Sequence, residues 1–273
     1  IKRGPFAVKK NEVTPGSIIE KIDGTDIKAG EDYNALLDGK AGKNIRLTIK
    51  NAKGKRFDLT IKAISQGAQQ ELLYKRWVDR NRAIVDSVSH GRIAYVHVKA
   101  MNSESFRTVY SELLSEKNRT KDAVIVDERH NGGGWLHDDL CTLLSGKQYQ
   151  EFVPHGKVVG KDPFNKWTKP SCVLICEDDY SNGHGFPWVY KELGIGKLIG
   201  APVAGTMTAV WWETLMDRSL VFGIPQVGCR DMRGTFGENT TLQPDIEVYN
   251  SPEDYITGHD TQLIRAVEEM MKK

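Results

Sequence analysis

The chain has 273 residues, enough for one large domain or two smaller ones. Apolar residues make up 39% and charged residues 27%, an ordinary composition for a chain with a sizeable core. A net charge of +2 is too small to favour nucleic acid or an acidic membrane surface, and no apolar run approaches the roughly 20 residues of a membrane span, so neither partner is expected. The first stretch, "IKRGPFAVKK", has no starting Met and lacks the apolar core of a signal peptide, which leaves the compartment unassigned. The four cysteines, Cys141, Cys172, Cys176 and Cys229, have no zinc-like CxxC spacing. Three sit in apolar surroundings and read as buried free thiols.

Residues 1 to about 63 read as a small β-rich unit. "PGSIIEKIDG" is a turn, an alternating strand and a second turn, and "IRLTIK" and "RFDLTIKAI" alternate with period two around the hairpin loop "NAKGK". "EDYNALLDGKAG" has apolar residues at helical spacing before a glycine stop, which predicts a short helix. Residues 64–86 are polar and read as a connecting segment. From residue 87 on, strands and helices alternate. "RIAYVHV", "DAVIVDE", "SCVLICED" and "KLIG" are strands. "SESFRTVYSELLSEK" (with a serine start), "LHDDLCTLLSG" and "GFPWVYKELGIG" are helices. That alternation predicts βαβ units and a mainly parallel sheet.

In such sheets functional groups gather where strand C-termini meet the next loops. Two loops occupy that position: "RHNGGG" after "DAVIVDE", and "DDYSNGHG" after "SCVLIC". Ser181 follows a buried strand and precedes a helix, so it is either a helix cap or a hydroxyl nucleophile beside backbone donors. Three consecutive glycines, 132–134, have no packing value, and they make sense where bare N–H groups face a ligand. No phosphate-loop or dinucleotide glycine pattern accompanies them.

These motifs carry a resemblance. "IVDERHNGGG" is similar to the D-x-R-x-N-G-G-G signature of the S41 serine peptidases, the group of the C-terminal processing peptidases and the tricorn core proteases. "DDYSNGHGFPWVYKELGIGKLIGAPVAGT" resembles that family's nucleophile segment. "GENTTLQPDIEV" and "GHDTQLIRAVEEM" resemble its closing stretches, and "PGSIIEKIDG" with "GKAGKNIRLTIK" resembles the latter part of a PDZ domain. The resemblance implies an α/β, ClpP/crotonase-like spiral core preceded by a truncated PDZ-like β-rich domain, with peptide or protein substrates and no cofactor. It places the catalytic nucleophile at Ser181 and the acid that supports the base at Glu238. The oxyanion hole falls at the N–H groups of Gly132, Gly133 and Asn182, with Asn239 as a neighbour that orients the loop. Assembly into a closed homo-oligomer is a further expectation from the family.

The general base is the gap in this reading. Where processing peptidases carry a lysine, "PVAGTMT" has Thr206. Tricorn-type enzymes take a histidine from before the PDZ domain, and the chain begins inside that unit, which reads as the C-terminal part of a longer protein. His184, three residues after Ser181, is the candidate supporting group inside the chain; His130, before the glycines, is the next. A base must first reach the serine oxygen. His97 reads as a satisfied core histidine, and no histidine and carboxylate set has metal-ligand spacing, so no metal is expected. Asp127 and Arg129 read as a pair bracing the loop. Trp211 and Trp212 suit either a substrate cleft or the core, and the adjacent Asp178 and Asp179 point apart and do not form a glycosidase pair. Two further functions share the fold: a PDZ-bearing pseudoprotease that binds peptides without cutting, and a crotonase-like acyl-CoA enzyme.

Overall fold

A computed structural model describes residues 4–7 and 12–272; the N-terminal stretch read above for a leader lies mostly outside them. The chain divides into two compact units, residues 1–80 and 81–273.

The first unit holds a four-stranded antiparallel sheet in the order β2-β1-β3-β4, from β1 (Ile18–Ile22), β2 (Thr25–Asp26), β3 (Asn44–Lys50) and β4 (Arg56–Lys62). The period-two pattern buries one face: Ile45, Leu47 and Ile49 of β3 pack with Leu59 and Ile61 of β4 and Ile22 of β1. The expected helix at "EDYNALLDGKAG" is one 3-10 turn, Tyr33–Leu36, started by Asp32, whose carboxylate accepts from the Asn34 N–H at 2.9 Å. Gly39 and Gly42 follow with φ of 66° and 80°, so the chain turns before a second helical turn can form. The polar segment read as a connector is a long helix, α1 (Gln66–Val88), which crosses the boundary between the units. Only Asn81 and Val85 in it are buried, so no apolar stripe marked it.

The second unit is built on a parallel sheet of β5 (Ile93–His97), β6 (Ala123–Asp127), β9 (Ser171–Ile175), β10 (Lys197–Gly200) and β13 (Ile246–Glu247), laid side by side in chain order. Each residue of β5, β6 and β9 is buried, as strands covered on both faces must be. The crossovers are α2 (Ser103–Leu113) and α3 (Glu116–Arg119) after β5, α4 (His137–Leu144) after β6, and α5 (Asn182–Glu192) after β9. The start of α2 is Asn102, whose side chain accepts from the Ser105 N–H, rather than the expected serine. Val96, Val126, Val173 and Leu198 meet Val109 of α2, Leu140 and Leu144 of α4, and Phe186 and Tyr190 of α5 in one core. The opposite face is covered by α7 (Thr261–Met271) through Leu263, Ala266, Val267 and Met270. A short α6 (Pro252–Thr257), started by a Ser251–Asp254 capping box, precedes it. Two hairpins lie outside the sheet: β7 (Gln150–Phe152) with β8 (Gly160–Asp162), and β11 (Ala209–Thr214) with β12 (Val221–Val227).

One buried arginine locks α7 to the sheet. Arg129 donates to both oxygens of Asp127 (2.9 and 2.8 Å), to both oxygens of Asp260 (2.9 Å each) and to Gln262 Oε1 (3.0 Å). Tyr95 donates its hydroxyl to Asp127 Oδ2 at 2.8 Å. Asp127 is fully buried and Arg129 is 2% exposed, so removing either leaves an uncompensated charge in a low dielectric. Arg129→Ala is expected to lower stability by about 3–5 kcal/mol in urea denaturation. Arg129→Lys recovers little of it, because an ammonium cannot fork to two carboxylates.

Candidate active site

β6 and β9 are parallel neighbours, with Asp127 beside Leu174, so residues 128–136 and 176–181 leave the sheet side by side. Asn131, fully buried, joins these loops. Its carbonyl accepts from the Tyr180 N–H at 2.9 Å, and its own N–H donates to Asp179 Oδ1 at 3.2 Å. Its side chain donates to the Val98 carbonyl and accepts from the Gly133 N–H. Asp179 completes the link by accepting from the Cys176 N–H at 2.8 Å.

Ser181 sits at φ 55° and ψ −118°, a backbone state that costs a non-glycine residue about 1–3 kcal/mol. It stands immediately before α5, yet its hydroxyl makes no capping bond. Its N–H donates to Thr206 Oγ1 at 2.9 Å, so the Thr206 hydroxyl holds the serine's main chain. Ser181 is half-buried, and Gly133 lies against it. A methyl group on Gly133 would fall 2.6 Å from Ser181 Cβ and 2.7 Å from the Tyr180 carbonyl, at a φ of 93°. Only glycine permits that approach.

The expected oxyanion donors separate into two kinds. The Gly133 N–H is already engaged by Asn131 Oδ1 at 2.9 Å. The N–H groups of Gly132 and Asn182 have no acceptor among the described residues. Asn182 is the first residue of α5, where helical geometry leaves an N–H unpaired. Its side chain serves a neighbour: Oδ1 accepts from the Leu136 and His137 N–H groups at 2.7 and 3.1 Å and caps α4, while Nδ2 meets His137 Nδ1 at 2.8 Å.

Glu238 reaches this loop pair through the 205–208 segment. Its Oε2 accepts from the Thr208 N–H at 2.8 Å, two residues from the Thr206 hydroxyl that holds Ser181. Asn239, at φ 59°, donates its N–H to the Gly205 carbonyl at 2.9 Å, which fixes the two segments together. His184 is fully buried one turn into α5, edge-on to Trp188 with ring centroids 5.1 Å apart. Neither ring nitrogen has a hydrogen-bond partner among the described residues. Burial lowers its pKa; the Thr240 main chain and the Glu238 carboxylate pull the other way without making a bond of ordinary geometry. Among the described residues no histidine or lysine hydrogen-bonds the Ser181 hydroxyl.

The other singled-out residues fall into place around this centre. His97 bonds the Arg129 carbonyl at 3.2 Å. Trp211 and Trp212 are 56% and 66% exposed on the β11–β12 hairpin and are not core. Asp178 and Asp179 do diverge: Asp178 faces His130, at 2.9 Å, and Asp179 is buried. Glu128, fully buried, has no hydrogen-bond partner for either oxygen among the described residues; burial first, then Asp179 and Asp127, hold its pKa well above the carboxylate range. Sequence reasoning gave no role to Asn131, although it lay within the quoted glycine motif, and weighed Asp179 only as half of an acid pair.

The family model for peptidase family S41 matches residues 92–248, and the tricorn protease PDZ domain matches residues 2–66. The tricorn protease of Thermoplasma acidophilum is 28% identical over 94% of this chain and 24% of its own length. A putative tricorn-like protease C-terminal subunit of Sulfurisphaera tokodaii is 32% identical over 74% of this chain and 24% of its own length. The crystal structure of the tricorn protease superimposes with a TM-score of 0.81 at 28% identity, over 94% of this chain and 25% of that one. The chain thus spans about a quarter of the length of these relatives.

Asp179 supplies a pH test of the loop link. Burial pushes its carboxyl up to about 8 against the opposing backbone N–H bonds, so the folded state holds the proton more tightly than the unfolded state. Its contribution is therefore full below about pH 4 and is lost as pH rises through about 8. Thermal unfolding from pH 4 to 9 should show the wild type losing stability relative to Asp179→Asn; parallel curves would refute a buried, pH-sensitive link.

Proposed function

Because the chain belongs to peptidase family S41, we propose that it carries the nucleophile and oxyanion donors of a tricorn-type serine peptidase. Ser181 Oγ attacks the scissile carbonyl and forms an acyl-enzyme, which water then hydrolyses. The developing oxyanion is held by the Gly132 and Asn182 N–H groups. Gly133 serves by its lack of a side chain, and Glu238 supports the base. The base is a histidine supplied from outside these 273 residues, while His184 stays neutral in its buried place against Trp188 and lends structural support.

The observation that carries this reading is the seating of Gly133 against Ser181, with the N–H groups of their chain neighbours Gly132 and Asn182 unengaged among the described residues. A helix-capping serine has no use for a strained backbone, an unengaged hydroxyl and an adjoining glycine that must be glycine. One observation favours a second reading, a peptide-binding module that does not cut: no base touches the serine among the described residues.

Peptide hydrolysis by the full-length protein separates the two. Ser181→Ala should lower kcat by several orders of magnitude, towards the ~10^6-fold loss of a missing nucleophile, with peptide affinity retained. Thr206→Val, which frees the Ser181 N–H, should cost about tenfold in kcat with KM little changed, as expected for a 1.4 kcal/mol loss of positioning. Peptide binding with no cleavage in the wild type would select the second reading.

A further inference from the structure

The two loops that carry the candidate active site also bring His130, Cys176 and Asp178 together, with one ligand-type atom from each within 4.8 Å of the others. The geometry points to a binding site for a borderline-soft divalent cation such as Zn2+, with Cys176 Sγ, His130 Nδ1 and an Asp178 oxygen as ligands. No sequence spacing announced it, because His130 and Cys176 lie 46 positions apart and meet only where β6 and β9 run side by side. The reading does not depend on the peptidase assignment.

The separations fit the site without its ion. Cys176 Sγ donates to Asp178 Oδ1 at 2.7 Å, His130 Nδ1 lies 2.9 Å from Asp178 Oδ2, and Sγ and Nδ1 are 3.9 Å apart. Zinc bonds of about 2.3 Å to sulfur and about 2.0–2.1 Å to nitrogen or oxygen imply ligand separations of about 3.2–3.6 Å. Binding therefore needs shifts of under an ångström, mostly in the exposed side chains of His130 and Asp178. The thiol proton that now bridges sulfur and carboxylate leaves to solvent, and the metal–sulfur bond takes its place. The His130 main-chain N–H already donates to Sγ at 3.2 Å; burial first, then the Asp179 and Asp178 carboxyls, push the Cys176 thiol well above the usual range, so the cation itself must displace the proton. A Cys/His/carboxylate set selects zinc-like ions over Mg2+ and Ca2+, which prefer oxygen alone. With three ligands among the described residues, the fourth position falls to water.

The position gives the ion a consequence. His130 precedes Asn131, and Asp178 precedes Asp179, the two residues that tie the glycine loop to the Ser181 loop. A bound cation adds a second, coordinate link across the same pair of loops.

Co2+ is the probe, because thiolate ligation produces a charge-transfer band and tetrahedral geometry produces intense ligand-field bands. The protein is titrated with Co2+ at pH 7.5 under reducing conditions, then with Zn2+. The site requires one equivalent of Co2+ with a thiolate band, displacement by Zn2+, and a raised unfolding temperature. Cys176→Ser should abolish the band, His130→Asn should weaken binding more than tenfold, and Cys229→Ser should change neither. A spectrum without a thiolate band, or one that survives Cys176→Ser, overturns the site. If Cys176→Ser fails to fold by circular dichroism, the exposed His130→Asn decides alone: unchanged affinity there also overturns it.

Discussion

The bond network of Asn131 is the constraint on which the site depends. Parallel strands set two loops side by side, but do not by themselves fix one loop against the other. Asn131 does so with its carbonyl on Tyr180, its N–H on Asp179 and its side chain on Val98 and Gly133. Every one of those partners is backbone or a buried carboxyl, so none can rearrange without leaving a polar group unsatisfied. Gly133 can approach Ser181 only because this network holds the glycine loop at that depth, and the strain at Ser181 persists because its surroundings over-determine it.

Two further attachments extend that rigidity. Arg129 ties the start of the glycine loop to the sheet through Asp127 and to α7 through Asp260 and Gln262. Asn182 ties the start of α5 to the start of α4. The side chain after the candidate nucleophile is thereby occupied, and its main-chain N–H has no acceptor among the described residues, at a helix terminus whose dipole favours negative charge. In the proposed reading, holding the oxyanion falls to backbone groups, which a rigid frame positions better than mobile side chains.

The parallel sheet was legible because β5, β6 and β9 are continuous apolar runs, and the glycine loop and Ser181 because they follow two of those runs directly. The rest was hidden for physical reasons. α1 buries only two residues, so periodicity could not mark it. The two hairpins are largely exposed pairs of strands, with Gly223 and Pro225 inside β12. The burial of Asp179 and the meeting of His130 with Cys176 are consequences of register between β6 and β9, which no single segment encodes; the bond from the Gly133 N–H to Asn131 is local to the glycine motif, but the motif does not say which of its N–H groups it occupies.

The central claim is that the oxyanion site lies between the Gly132 and Asn182 N–H groups, beside Ser181 Oγ. A crystal structure of the protein after reaction with a fluorophosphonate tests it most directly. The account predicts phosphorus bonded to Ser181 Oγ and a phosphoryl oxygen within about 3 Å of both nitrogens, with the Gly133 N–H still on Asn131. An adduct whose oxygen points to solvent, or one bound by Gly133 after the Asn131 bond has broken, would contradict it.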